Sequence, residues 1–114
     1  MQECLFCRIL QKEIPSTMVF EDSETAVFRD INPQAPIHLL VVPKRHLSSL
    51  DDCTTDDEAL LGHVLSVARD VAQRQGLRAT GYRIILNTGE GAGQTVFHIH
   101  FHLLGGRRLS WPPG

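Results

Sequence analysis

His98-Ile99-His100-Phe101-His102 sets three imidazoles on alternate residues, half of the six histidines in the chain. The flanks Thr95-Val96-Phe97 and Leu103-Leu104 are β-branched, aromatic and aliphatic, which predicts a strand over 96–104. Side chains alternate between the faces of a strand, so His98, His100 and His102 would share one face, each about 6.6 Å from the next. Phe97, Ile99, Phe101 and Leu103 would then point to the core. A buried imidazole without a partner costs about 1–3 kcal/mol, so three in register describe a site better than a core. Imidazole titrates near neutrality and serves as metal ligand, nucleophile or acid–base group.

The segment Asn87-Thr88-Gly89-Glu90-Gly91-Ala92-Gly93-Gln94 leads directly into this row. Its glycines allow main-chain amides to approach an anion closely, and Gln94 and Thr95 add polar side chains. The pattern is not the GxGxxG of a dinucleotide fold. Donors converging on a nucleophilic imidazole suit a phosphorus or acyl centre.

Cys4-Leu5-Phe6-Cys7 is a CxxC motif. No preceding strand supports a redox reading. A closed structural zinc site takes four nitrogen or sulfur ligands, and His46, after Pro43-Lys44-Arg45, and His98 are the candidates to complete one. Cys53 sits in a polar loop and has no assigned part. Asp30, before Ile31-Asn32-Pro33, reads either as a turn cap or as an acceptor for ribose hydroxyls. His38 interrupts an apolar strand and needs a partner if buried. His63, at the edge of a helical apolar face, reads as structural.

These residues must be positioned by a chain of 114 residues, enough for one domain spanning 1–114. Its composition is 42% hydrophobic and 21% charged, typical of a globular protein. A net charge of -2 offers no basic field for nucleic acid. No apolar run reaches the ~20 residues of a membrane span, and Met1-Gln2-Glu3-Cys4 lacks the character of a secretory leader. Three cysteines argue against a disulfide framework, and a reduced, cytoplasmic protein is the expectation.

Cys4 to Gln11 predicts two turns of helix. Thr17 to Glu21, Thr25 to Arg29 and Ile37 to Val42 predict strands, the last a central one. Thr55-Asp56-Asp57-Glu58 predicts a capping box. It opens a helix whose apolar face holds Leu60, Leu61, Val64, Leu65, Val67, Ala68, Val71 and Ala72 and which stops at Gly76. Tyr82 to Leu86 and Val96 to Leu104 complete the set. Strands grouped in this way imply an α+β fold with a mainly antiparallel sheet.

His98-Ile99-His100-Phe101-His102-Leu103-Leu104 fits the pattern H-φ-H-φ-H-φ-φ, with φ apolar, of the histidine triad (HIT) superfamily. The segment from Phe28 to Pro36 with His38, the Val42-Pro43-Lys44 turn, Gly93-Gln94, Gly105-Gly106-Arg107 and the Trp111-Pro112-Pro113-Gly114 tail resemble its HINT branch, the histidine triad nucleotide-binding proteins. The resemblance implies a HIT-like α+β fold with a five-stranded, mainly antiparallel sheet, one long and one short helix, and two sheets joined across a homodimer. It implies hydrolysis of purine nucleoside 5'-phosphoramidates, conjugates of AMP or GMP, to a nucleoside monophosphate and an amine.

By position in the motif, His100 would be the nucleophile and His102 would assist the leaving group. The His98 carbonyl would fix the tautomer of His100, and His38 would support the network. Asn87, Gly93, Gln94 and Thr95 would serve the phosphate, with Thr95 standing where many relatives carry serine. Asp30 would bind ribose, and Phe6, Ile9, Ile14, Phe28 and Ile31 would line the base pocket. Bacterial-type relatives with an N-terminal CxxC imply structural zinc on Cys4, Cys7, His46 and His98, with no metal needed for the chemistry. Three other readings are a purine-nucleotide sensor or scaffold, a dinucleoside polyphosphate hydrolase or nucleotidyl transferase, and a zinc-catalytic hydrolase. The last is disfavoured because four protein ligands leave no open position.

Overall fold

The structure is a computed structural model that describes residues 4–114; residues 1–3, part of the segment read for leader character, lie outside the described residues. A short helix α1 (Leu5–Leu10) leads into strands β1 (Met18–Glu21), β2 (Thr25–Arg29) and β3 (Ile37–Pro43). The long helix α2 (Glu58–Arg74) follows, then β4 (Tyr82–Ile85) and β5 (Phe101–Gly105). The five strands form one antiparallel sheet in the order β1-β2-β3-β5-β4. The expected α+β class and the central position of β3 hold. No helix among the described residues is long and apolar enough to cross a membrane.

Strand alternation divides the core. Val27, Leu39, Val41, Phe101 and Leu103 face α2 and pack with Leu60, Val64, Val67, Ala68 and Val71. Ala26, Phe28, Leu40 and Val42 face the other way, onto Phe6 and Ile9 of α1. β3 is apolar almost throughout because helices cover both its faces. Its register opposes His38 to Leu104 and Leu40 to His102, which brings the His38 and His102 side chains together as diagonal neighbours on the α1 face.

The helix α2 departs from expectation at two points. The capping box lies one residue early. The Thr54 hydroxyl accepts from the Asp56 amide at 3.2 Å, and the Asp57 carboxylate accepts from the Thr54 amide at 2.8 Å. The short Asp57 side chain reaches that amide while also receiving the Arg45 guanidinium, so residues 55–57 form a tight turn ahead of the helix. The apolar face is also narrower than predicted, with Leu65 44% exposed, since the sheet below accepts only the stripe centred on Val64, Ala68 and Val71. The stop is as expected. Gly76 takes φ +78°, and the Leu77 amide reaches back to the Ala72 carbonyl at 3.0 Å. His63 is structural in place, its Nε2 2.8 Å from the Asp22 carboxylate.

Candidate functional site

The three histidines do not stand on one regular strand. Only from Phe101 onward is the chain in the sheet, and residues 96–100 are irregular. The Ile99 amide donates to the Leu47 carbonyl at 2.7 Å, and the His98 carbonyl accepts from its own neighbour's ring, His100 Nδ1, at 2.8 Å. Main-chain groups committed to a loop and a side chain cannot join a ladder. The pleat therefore fails at Phe97, which is 48% exposed rather than core. Ile99, Phe101 and Leu103 are buried as expected.

His98 is fully buried and belongs to a group of four. Its Nε2–H donates to the Pro43 carbonyl at 2.8 Å, which leaves Nδ1 as a bare lone pair in the neutral ring. That Nδ1 lies 3.5 Å from both Cys4 Sγ and Cys7 Sγ and 3.2 Å from His46 Nδ1. Cys7 Sγ is 3.4 Å from His46 Nδ1. Four ligands of one tetrahedral ion, at about 2.3 Å for sulfur and 2.0–2.1 Å for nitrogen, would stand about 3.4 Å apart for N···N and 3.6 Å for S···N. The donor types, the spacings and the aim of His98 all fit a metal ion. Burial, and then Cys4 beside it, push the Cys7 thiol up to about 11, so ionising both sulfurs calls for a cation between them.

The second group begins at His38. The Gln34 amide donates to His38 Nδ1 at 3.0 Å. A main-chain N–H can only donate, so neutral His38 carries its proton on Nε2. That N–H points to His102 Nδ1 at 2.9 Å, with the Asp30 carboxylate at 3.4 Å. His102 Nδ1 is thus an acceptor, and its proton sits on Nε2. Asp30, His38 and His102 also lie close enough to share an ion, but a hydrogen occupies the space between the two rings. His100 reads the opposite way. Its Nδ1–H is held by the His98 carbonyl, and Nε2 is left bare.

Burial disfavours the charged form of all three rings. It lowers His38 against the pull of Asp30, and lowers His100 against its bond to His98 and the Asp30 charge. His102 falls to about 4 through burial first, then the neighbouring His100 and His38, with Asp30 opposing. The His100 and His102 ring centroids lie 5.0 Å apart. A bare nitrogen beside an N–H donor is the arrangement that displacement at an electrophilic centre requires.

Both rings line a cavity of about 410 Å³. Of the residues assigned to substrate, Phe6, Ile9, Ile14, Phe28, Asp30, Ile31, Asn87, Gly93 and Thr95 line it too. Its lining combines apolar side chains of α1 and β2 with the two imidazoles, Asp30 and the loop residues Asn87, Gly93 and Thr95. Asp30 also acts as the turn cap, accepting from the Asn32 amide at 2.8 Å. Gly93 adopts φ +99°, and a Cβ there would sit 3.8 Å from Asn87 Nδ2, so strain more than space makes it glycine.

Gln94 is the exception. Its Oε1 accepts from the Gly89 amide at 2.9 Å, and its Nε2 donates to the carbonyls of Ser48 and Val96 at 2.8 and 3.1 Å. It is buried and does not line the cavity. Its side chain braces the glycine loop against the main chain of Ser48 and Val96. His38 likewise stands behind the cavity wall.

Sequence reasoning missed the Gln34 amide and the Pro43 and Leu47 carbonyls, which carry no side-chain signal. It also missed Leu5, Pro15, Ser16, Arg29, Leu40 and Val96 as lining residues, although Phe6 and Ile9 beside Leu5 on α1 pointed to the same wall.

Residues 11–109 match the HIT domain family. An uncharacterized HIT-like protein of Synechococcus elongatus is 48% identical over 99% of this chain and 98% of its own. A HIT family hydrolase from Legionella pneumophila superposes with a TM-score of 0.97 at 54% identity, covering 98% of this chain and 100% of that one. A histidine triad nucleotide-binding protein from Candida albicans gives a TM-score of 0.82 at 34% identity, covering 96% and 83% respectively.

Proposed function

The chain belongs to the HIT domain family, and on that footing we propose that it hydrolyses purine nucleoside 5'-phosphoramidates through a nucleotidyl-histidine intermediate on His100. The carrying observation is the pair of opposed tautomers, bare Nε2 on His100 and Nε2–H on the adjacent His102, both rings lining a largely apolar cavity. The nucleotide-binding name of the Candida albicans neighbour and the hydrolase name of the Legionella one agree with this reading.

In the first step the His100 Nε2 lone pair forms a bond to the α-phosphorus as the P–N bond breaks. The electron pair leaves on the amine, which takes up a proton from solvent at the cavity mouth. The His102 N–H donates to the departing nitrogen or a phosphoryl oxygen, stabilising charge as it develops. Main-chain amides of the Asn87–Thr95 loop and the Thr95 hydroxyl serve the remaining phosphoryl oxygens. Water then displaces His100 to release the nucleoside monophosphate. Phe6, Ile9, Ile14, Phe28 and Ile31 hold the purine, and Asp30 accepts from the ribose hydroxyls.

Zinc is the metal that the two cysteines and two histidines suit best, and bound there it supplies a closed structural link with no open position for catalysis. The same reading includes a homodimer, in which an edge strand of the sheet, β1 or β4, continues into the partner's sheet.

The test is release of AMP and amine from an adenosine 5'-phosphoramidate without added metal. Wild-type protein turns it over, and His100→Ala, folded by circular dichroism, loses nearly all activity. Full turnover in that variant overturns the proposal. Tight AMP binding with no turnover across several amines would replace the hydrolase with a nucleotide sensor.

A further inference from the structure

We propose that metal binding at Cys4, Cys7, His46 and His98 and nucleotide binding in the cavity are thermodynamically coupled through α1. The inference rests on the cavity being a nucleotide site, as read above. A helix of six residues, Leu5–Leu10, has no stability of its own. What it has is two sets of anchors. Cys4 caps it, its sulfur accepting from the Cys7 amide at 3.3 Å, and Cys4 and Cys7 reach His98 and His46. Leu5, Phe6 and Ile9 form one wall of the cavity. Among the described residues, the side-chain polar contacts that tie the helix to the rest of the sheet run through those two sulfurs, the one other being the exposed Arg8–Glu13 pair to the turn that follows it, at 3.5 Å.

Phe6 joins the two sites directly. Its ring packs edge-on against Phe28 at 5.4 Å between centroids, against His98 at 6.0 Å and against His100 at 5.0 Å. One side chain therefore touches a metal-facing histidine, the nucleophile and the floor of the base pocket. The larger core, between α2 and the other face of the sheet, contains no residue of α1. Loosening the helix would open the cavity without dissolving that core. A ligand that orders α1 lowers the cost of ordering it for the other ligand, and linkage makes the effect equal in both directions.

The experiment titrates AMP calorimetrically into zinc-loaded protein and into the same protein stripped by a chelator. A chromophoric chelator then measures zinc affinity with and without saturating AMP. The expected result is AMP binding weakened at least tenfold on stripping, and zinc binding tightened by the same factor with AMP. Far-UV circular dichroism should show the sheet and α2 retained in the stripped protein. Phe6→Leu, which keeps all four ligands, should bring the factor toward one. Equal AMP affinity in both forms overturns the coupling, as does a zinc affinity that saturating AMP leaves unchanged. Global unfolding on stripping overturns its route through α1. Failure of AMP to bind the loaded protein overturns the nucleotide reading instead.

Discussion

His38 Nε2 lies 2.9 Å from His102 Nδ1, and the hydrogen between them belongs to His38 because the Gln34 amide occupies its other nitrogen. The tautomer of His102 is thus set by a ring that does not line the cavity. His38→Ala should free His102 to turn its bare nitrogen to the substrate. A loss of about tenfold to a hundredfold in kcat is expected, on the scale of other outer partners that orient functional histidines, with little change in KM. Steady-state kinetics on the two proteins checks this. A raised KM at normal kcat would make His38 a binding residue.

His102 titrates near 4, below the ordinary histidine value, because burial and then His100 and His38 disfavour its charge while Asp30 favours it. Its donor tautomer is therefore kept through neutral and mildly acid pH. Between the ordinary value of 6.5 and about 4, the unfolded chain binds the proton and the native protein does not. Stability should then fall as pH drops through that window. Thermal midpoints measured from pH 7 to pH 4 should decline, and His102→Asn should flatten the decline. An unchanged slope in that variant would remove His102 from the account.

Gln94 holds Gly89, Ser48 and Val96 together from beneath the glycine loop. Gln94→Ala would leave those main-chain groups without partners, at about 1–3 kcal/mol for a buried group. The expected outcome is a lower melting temperature together with a raised KM, as the loop loses its shape. A loss of kcat with neither change would indicate direct contact with the reacting phosphate after all.

Gly105 ends β5 against α2's exit. A Cβ there would meet Leu77 Cδ1 at 2.6 Å and Cδ2 at 2.8 Å, and Leu77 is buried. Gly105→Ala should cost about 1–3 kcal/mol as overpacking. Adding Leu77→Val should recover part of it, measured by chemical denaturation as a coupled pair. Simple additivity would contradict the contact.

Much of this arrangement was legible in the sequence, for physical reasons. The near-continuous apolar run of β3 follows from burial on both faces. The cleft residues are side chains whose chemistry announces them, from Asp30 to the histidines. The errors fall where main-chain hydrogen bonds override side-chain pattern. Val96 to His100 alternates like a strand, but the Ile99 amide and the His98 carbonyl are bonded elsewhere. Phe97 was misplaced by the same alternation. The capping box slipped by one residue because Asp57 has a second partner in Arg45, which nothing local reveals. The three main-chain partners of the Gln94 side chain are likewise invisible in the sequence.

The central claim is that His100 Nε2 forms a bond to phosphorus. Reacting enzyme with a radiolabelled adenosine 5'-phosphoramidate in a single turnover, quenching it, and mapping the label by mass spectrometry tests this directly. The account predicts a transient adenylyl group on His100, formed and lost at rates compatible with turnover and missing in His100→Ala. Full single-turnover release of AMP with no covalent species, or label on another residue, would contradict it.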